Sequence, residues 1–326
     1  MNEQSITLKK KPNLGRRIGD ELKHNFVLYL MAIPVIVYFV LFVYLPMYGL
    51  IIAFKDYKPF NRMGQGGIWG SPWADMYGFA NFIRFFKSPL FWPVLKNTLY
   101  ISFLTLIFSF PAPIIFALML NEIKNLKYKK VIQTITYLPH FISMVVICSM
   151  VIRFFQTDGI MTALVDVLGG SKQNYMINAD AYRPIYIGSG IWQGIGWSSI
   201  IYISALSSID QELYEAAVID GAGKWKQVVH ITIPGILSTI VILLIMNVGQ
   251  MLSVGYEKTI LLQNSNTAEV ARVISSYTYD LTFGTEGGGG EFAYSSAIGI
   301  FQSVVNIIFL TIANTISKKI TNSGLF

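Results

Sequence analysis

The sequence has 326 residues, 53% of them hydrophobic and only 13% charged, about half the charged fraction of an ordinary soluble domain. A mean hydropathy of +0.51 leaves more apolar side chain than one water-facing globule can bury, which excludes a cytosolic enzyme, a disordered chain and a coiled coil. The net charge of +7 is therefore a question of sidedness across a membrane, and nucleic acid is not an expected partner.

A helix needs about 20 apolar residues to cross a hydrocarbon layer about 30 Å thick. Six uncharged runs approach that length, at 26–54, 98–120, 131–152, 185–206, 236–256 and 292–316. The expected fold is all-α: a polytopic membrane protein with six transmembrane helices. Residues 1–25 carry Lys9, Lys10, Lys11, Arg16, Arg17 and Lys23 and read as a cytoplasmic basic tail. They are not the start of a signal peptide, because the run that follows is longer than the roughly 7–15 apolar residues of a cleavable signal. With the tail inside and the sides alternating, 14 of the 25 basic residues fall in cytoplasmic segments: the tail, 124–130, Lys224 with Lys226, and Lys318 with Lys319. That bias places both termini in the cytoplasm and makes 26–326 one transmembrane domain.

Pro34, Pro46, Pro111, Pro113 and Pro139 fall inside the runs and are expected to kink them. The segment 55–96 reads as a long external loop rich in aromatics and glycine, and 287–290, between Glu286 and Glu291, as a flexible loop tip. The fourth run is diluted by Gly188, Gly190, Gly194, Gly196, Gln193 and serines, as suits a helix packed inside a bundle.

Several chemistries are absent. Gly223-Lys224 is followed by Trp225 and preceded at the relevant spacing by Val218, so it is not a phosphate-cradling loop and the chain is not itself an ATPase. The glycines at 64–70 and 188–194 miss the dinucleotide spacing. His24, His140 and His230 have no i, i+4 partner for a metal, and the lone Cys148 can form neither an intrachain disulfide nor a thiolate cage. An ion-coupled secondary carrier is the rival reading; it would need midplane ionisable residues or inverted repeats, and the runs offer no Asp or Glu with a partner.

The informative segment is 207–234, which reads as a short helix, a glycine turn and a second short helix entering the next span. Asp210, or Ser208 with Gln211 three residues on, can cap the first helix, and Glu212 and Glu215 suit its positive end. Gly221 and Gly223 are expected to supply the φ > 0 turn that ends that helix, and Pro234 to begin the fifth span, where its missing N–H costs nothing. Glu215-Ala216-Ala217, three residues, Gly221, nine residues and Ile231-x-Ile233-Pro234 resemble the EAA loop of the permease subunits of binding-protein-dependent ABC importers, with Ile233 where leucine is usual. In that family the loop forms a coupling helix that docks on a cytoplasmic ATPase. The resemblance implies that role for Tyr214, Glu215, Ala216, Ala217, Asp220, Gly221 and Gly223.

The likeness extends over roughly residues 20–326. Gly78 to Phe85, Phe91-Trp92 and Asn97-Thr98 resemble carbohydrate permeases of the maltose-transporter type. Ser207 to Tyr214, Asn247 to Gly255 and Tyr294 to Phe326 are most similar to oligosaccharide permeases such as those for alginate and pectin fragments. The implied assembly is a heterodimer with a second permease subunit in the bacterial cytoplasmic membrane, two ATPase subunits that hold ATP and Mg, and an extracytoplasmic solute-binding protein that delivers sugar. No cofactor is expected on this chain. A sugar path needs amides, hydroxyls and flat rings. Asn247, Gln250, Ser253 and Tyr256 step by three along the expected fifth helix, and Gln193 lies beside Trp192 and Trp197 on the fourth.

Overall fold

The computed structural model describes residues 23–59, 66–284, 289–321 and 324–326. The basic tail from Lys9 to Arg17, and Gly287 and Gly288 of the glycine run, lie outside them. Among the described residues the only β-pairing is an isolated bridge between Lys55 and Trp73, so the chain is all-helical as expected. In chain order the principal helices are α1 (Phe26–Phe54), α2 (Ala80–Lys87), α3 (Phe91–Asn121), α4 (Leu126–Tyr137), α5 (Met144–Phe155), α6 (Ile160–Val167), α7 (Ala179–Ser207), α8 (Gln211–Ile219), α9 (Lys224–Gly235), α10 (Leu237–Val248), α11 (Tyr256–Leu262), α12 (Ile274–Phe283) and α13 (Phe292–Thr321).

Four stretches of described helix are long and apolar enough to cross a membrane: α1, α3, α5 continuing into α6, and α13. A fifth qualifies if α9 and α10, bent by 61° at Ile236, are one span. The 29-residue α7 is long enough but is not among them, because glycine, serine and glutamine dilute its apolar run. The first expected run coincides with α1, while the second and sixth are extended at their ends.

The third run is corrected more deeply. It is two helices, α4 and α5, separated at Pro139 in a 3₁₀ turn over Leu138–Phe141. Ser143 then opens α5 afresh, its side chain accepting from the Val146 N–H. The expected external loop 55–96 also holds structure. Asn81 Nδ2 donates to the carbonyls of Ala53 (2.9 Å) and Lys55 (3.1 Å), docking α2 against the end of α1.

Three of the prolines act through a shared device, while Pro34 lies inside a regular helical stretch and Pro139 in a 3₁₀ turn. π-helical turns at Phe39–Tyr44, Thr105–Ser109 and Val228–Thr232 each end two residues before a proline, namely Pro46, Pro111 and Pro234. Proline cannot donate to the carbonyl four residues back and its ring crowds that carbonyl, so the ladder widens by one residue. In each case the residue just before the proline donates five residues back: Leu45 to Val40, Phe110 to Thr105 and Ile233 to Val228, so Pro234 does not open the fifth span as expected but sits inside α9, where its missing N–H displaces the ladder.

The buried core falls into three clusters along the bundle. Phe85, Phe91, Ile274 and Tyr294 fill the end where α2, α3, α12 and α13 meet. Ile101, Ile147, Val151 and Tyr182 join α3, α5 and α7. Ala117, Tyr202, Leu206 and Ile236 close the opposite end. By contrast, the most apolar stretch of α1 is not buried at all against the rest of the chain. Such a surface is stable only against lipid or another membrane chain.

The fifth run is also corrected. Instead of one helix to Tyr256, α10 stops at Val248, residues 249–255 are turns and loop, and Tyr256 begins α11. The freed backbone is met by side chains from two other helices. Leu252 N–H donates to Asn306 Oδ1 (3.0 Å), Gln302 Nε2 donates to the Leu252 carbonyl, and Ser102 Oγ donates to the Met251 carbonyl. Unwound backbone among apolar helices is tolerable only with such partners. Asn306→Leu is therefore expected to cost about 1–3 kcal/mol by orphaning a partly buried N–H. Thermal unfolding of the detergent-solubilised protein reads this, with Ser303→Leu, whose hydroxyl serves only its own helix through Gly299, shifting stability by less than about 0.5 kcal/mol.

Candidate functional site: a polar cavity and a capped loop

The break after α10 opens a cavity of about 340 Å³, walled by α3, α7, the 249–255 segment and the start of α11. It adjoins a second of about 600 Å³, and Thr105, Ser109, Gly190 and Asn247 line both. Thr105 and Ser109 bound the π-turn of α3, which offers hydroxyls to the cavity where a regular apolar helix would present aliphatic groups.

Five of the seven residues assigned to a sugar path meet here. Gln193, Asn247, Gln250 and Ser253 line the smaller cavity and Trp197 the larger. They do not form one helical stripe: Asn247 is in the last turn of α10, while Gln250 and Ser253 belong to the unwound segment. Ser253 Oγ accepts from Asn306 Nδ2 at 2.9 Å, and Asn247 Nδ2 donates to the Leu243 carbonyl at 2.8 Å. The Trp197 ring is stacked on His140 with centroids 4.6 Å apart. Trp192 and Tyr256 line neither cavity, and Tyr256 is instead stacked on Tyr279 at 5.1 Å.

Sequence reasoning missed Ser102, Thr105, Ser109 and Lys258, all of which line the smaller cavity. The hydroxyls were visible as polar residues inside the second apolar run, with Thr105 and Ser109 four apart. Lys258 was hidden because it lies just past the expected end of the fifth. From the described residues the cavity therefore presents hydroxyls, amides and one ammonium, and no carboxylate. No cluster of three or more His, Cys, Asp or Glu suited to a metal occurs among the described residues.

The 207–234 loop stands at the far end of the bundle, tied to the end of α3 by an ion pair between Lys224 and Glu122 at 3.2 Å. Of the two candidate caps, Asp210 serves: its side chain accepts from the Glu212 N–H at 3.0 Å. The helix ends as a Schellman motif, in which Ala222 N–H donates to the Ala217 carbonyl (2.8 Å) and Gly221 N–H to that of Val218 (3.0 Å). Gly221 holds φ +76°, with open space around it, so what the position excludes is a side chain's backbone strain rather than its bulk. Asp220 is the C-cap of α8, and the expectation that Gly223 shares the left-handed turn is corrected: only Gly221 of the two has a positive φ, and Gly223, extended at φ −66°, is the N-cap of α9.

α8 is fastened by one side. Tyr214 and Ala217 are half-buried, and the Tyr214 hydroxyl lies 3.0 Å from Thr232 Oγ1 in the π-turn of α9. Gln227 Nε2 donates to the Ala222 carbonyl at 3.0 Å. Glu215, Ala216, Leu213, Val218 and Ile219 are all exposed.

A multi-pass bundle that unwinds beside a polar cavity and holds a capped, apolar-faced helix clear at one end has the architecture of a membrane permease. Residues 109–322 match the family described as "Binding-protein-dependent transport system inner membrane component", and the chain belongs to that family. Among its relatives, Protein LplB of Bacillus subtilis (strain 168) is 43% identical over 306 residues, which is 94% of this chain and 92% of that protein. The polygalacturonan/rhamnogalacturonan transport system permease protein YteP of the same organism is 43% identical over 317 residues, 97% and 95% of the two chains. A chain in the crystal structure of a bacterial alginate ABC transporter, in complex with an alginate pentasaccharide-bound periplasmic protein, superposes with a TM-score of 0.82. It is 38% identical, with 95% of this chain and 100% of that one covered. The protein is thus an integral, multi-pass permease subunit of an ABC importer and not an enzyme.

The cavity geometry is checked by thiol labelling, for which the buried native Cys148 gives little background. Cysteines placed at Asn247, Gln250 and Ser253 are expected to react with a small water-soluble thiol reagent. One at Ile245, buried in the body of α10, is expected to stay unmodified.

Proposed function

We propose that this chain is one half of a heterodimeric pathway through the bacterial cytoplasmic membrane, moving an oligosaccharide that an extracytoplasmic binding protein delivers. The observation that carries the reading is the polar, largely uncharged cavity beside an unwound helix. Hydroxyls and amides match the hydroxyl groups of a sugar, and the Trp197 ring offers a flat apolar face. A few such contacts bind weakly, as a pathway that must also release its cargo requires. The names of the relatives, one a polygalacturonan/rhamnogalacturonan permease and one from an alginate transporter, support the same cargo class.

The energy comes from two ATPase subunits holding ATP and Mg, and α8 is the element that one of them grips, the other taking the matching helix of the second permease. Its exposed Leu213, Val218 and Ile219 suit a partner's cleft, and the exposed Glu215 offers that partner a charge. The Tyr214–Thr232 contact, together with Gln227, passes a displacement of α8 into α9 and so to the bend before α10. Closure of the ATPases then favours the outward-open state of two discrete bundle arrangements.

In this reading six helices cross the membrane, α7 being the sixth and lined by the partner permease, and both termini are cytoplasmic. Impermeant labelling of intact cells should modify introduced cysteines at Lys87, Lys172 and Arg272 and spare those at Lys127, Lys224 and Lys318. Labelling of position 224 from outside would refute the coupling role.

Gly221→Val forces a β-branched residue into the left-handed region at a cost of about 1–2 kcal/mol, enough to misplace α8 while leaving the bundle folded. In reconstituted complex, Gly221→Val and Glu215→Lys are expected to abolish or strongly reduce uptake. ATP hydrolysis should lose its stimulation by loaded binding protein. Normal uptake with normal stimulation in both variants would contradict the assignment.

A further inference from the structure

Two lysines are buried among the described residues, and they differ in their partners: the Lys55 ammonium donates to the carbonyls of Ile68 and Ser71, that of Lys258 to one carbonyl alone. Lys258 is 8% exposed, on the first turn of α11, and among the described residues it is the only charged one lining either of the two joined cavities. Its ammonium donates to the Tyr186 carbonyl at 2.7 Å and sits 4.5 Å from the centroid of the Tyr186 ring. No carboxylate lies within ion-pair distance of it among the described residues; the neighbouring Glu257 is exposed and makes no ion pair with it. A buried charge without a counter-ion is costly, and one carbonyl satisfies only one of its three N–H donors. In an apolar bundle such a residue points to function.

The local sequence keeps the ammonium open to the cavity. Gly190 on α7 faces it, and a Cβ there would come within 3.1 Å of Nζ. Around it stand groups suited to the rest of a sugar ring, including Gln193, Asn247, Gln250 and Ser253. The missing partner is thus an anion that arrives with the cargo. One ammonium matches one singly charged group, whereas a phosphate monoester carries about −1.5 to −2 at neutral pH and would leave uncompensated negative charge in the cavity.

We propose that Lys258 is a specificity-determining residue that pairs with a sugar carboxylate in the cavity, so that the cargo is an acidic oligosaccharide built of uronic acid units. This rests on the oligosaccharide-importer reading above and narrows its substrate class. The pairing is transient: Lys258 exchanges cavity water for a charge-assisted hydrogen bond as the sugar passes, keeping its bond to Tyr186.

The test uses the complete complex in proteoliposomes, loaded with oligogalacturonate or with its carboxyl-reduced, neutral counterpart. The binding protein's affinity for each is measured separately, so that selection at delivery can be divided out. The wild-type complex should import the acidic sugar about ten-fold faster or more. Lys258→Met should lower acidic uptake by a similar factor while changing neutral uptake less than about two-fold, and Lys258→Arg should retain most acidic uptake.

Unchanged acidic uptake in Lys258→Met would overturn the proposal. So would equal loss of both sugars with no rescue by Lys258→Arg, which marks a strut between α11 and α7. Should Lys258→Met fail to assemble, the wild-type comparison decides alone, and equal or faster neutral import refutes the proposal. A wild-type complex that hydrolyses ATP in response to loaded binding protein yet moves neither sugar would instead refute the underlying oligosaccharide reading, and this proposal with it.

Discussion

Backbone that leaves the helix among apolar neighbours must find its hydrogen bonds in side chains, and the whole centre of this permease depends on how residues 249–255 meet that demand. Ser102 from α3 and Gln302 and Asn306 from α13 supply the donors and acceptors that the lost turns of α10 would have shared. Because those partners are fixed on two different helices, the unwound segment is held in one place instead of collapsing. It holds the floor of the cavity open, sets Gln250 and Ser253 beside Asn247, and lets the chain re-enter a helix with Lys258 in its first turn.

A second constraint, the N–H that proline lacks, recurs at both working ends. In α3 the π-turn before Pro111 runs from Thr105 to Ser109, and those two residues are shared by the two cavities. In α9 the π-turn before Pro234 ends at Thr232, whose hydroxyl meets Tyr214 of α8. The same local widening thus shapes the wall shared by the two cavities at one level and the attachment of α8 at another. Such turns adjust more readily than a regular ladder, which suits elements that move between two arrangements.

Charge is used sparingly and by position. The ion pair of Arg84 with Glu291 is bidentate, at 2.8 and 3.1 Å, and ties α2 to the start of α13 where both side chains remain partly exposed. It is worth little in stability and serves mainly to orient. Lys224 with Glu122 does the same at the opposite end. Lys258 differs from both in being buried and in having no counter-ion among the described residues.

The sequence alone determined the class of molecule, since hydropathy and the spacing of Glu215, Gly221 and Pro234 are local properties that no packing can reverse. α1 was legible end to end, because an uninterrupted apolar run has one stable solution in lipid. The caps and turn of α8 were legible for the same reason, each resting on residues within five positions of one another. What the tertiary structure decided is where helices stop. Asn247, Gln250, Ser253 and Tyr256 have the period of a helix, yet α10 ends at Val248, because the competing hydrogen bonds come from Ser102, Gln302 and Asn306, roughly 50 to 150 positions away in the chain. The span expected at 131–152 divides for a local reason instead, at Pro139 with its second half reopening on the Ser143 cap, whereas the end of α10 was not local. Periodicity records what a segment can do by itself; whether it does so depended here on side chains that only folding brings within reach.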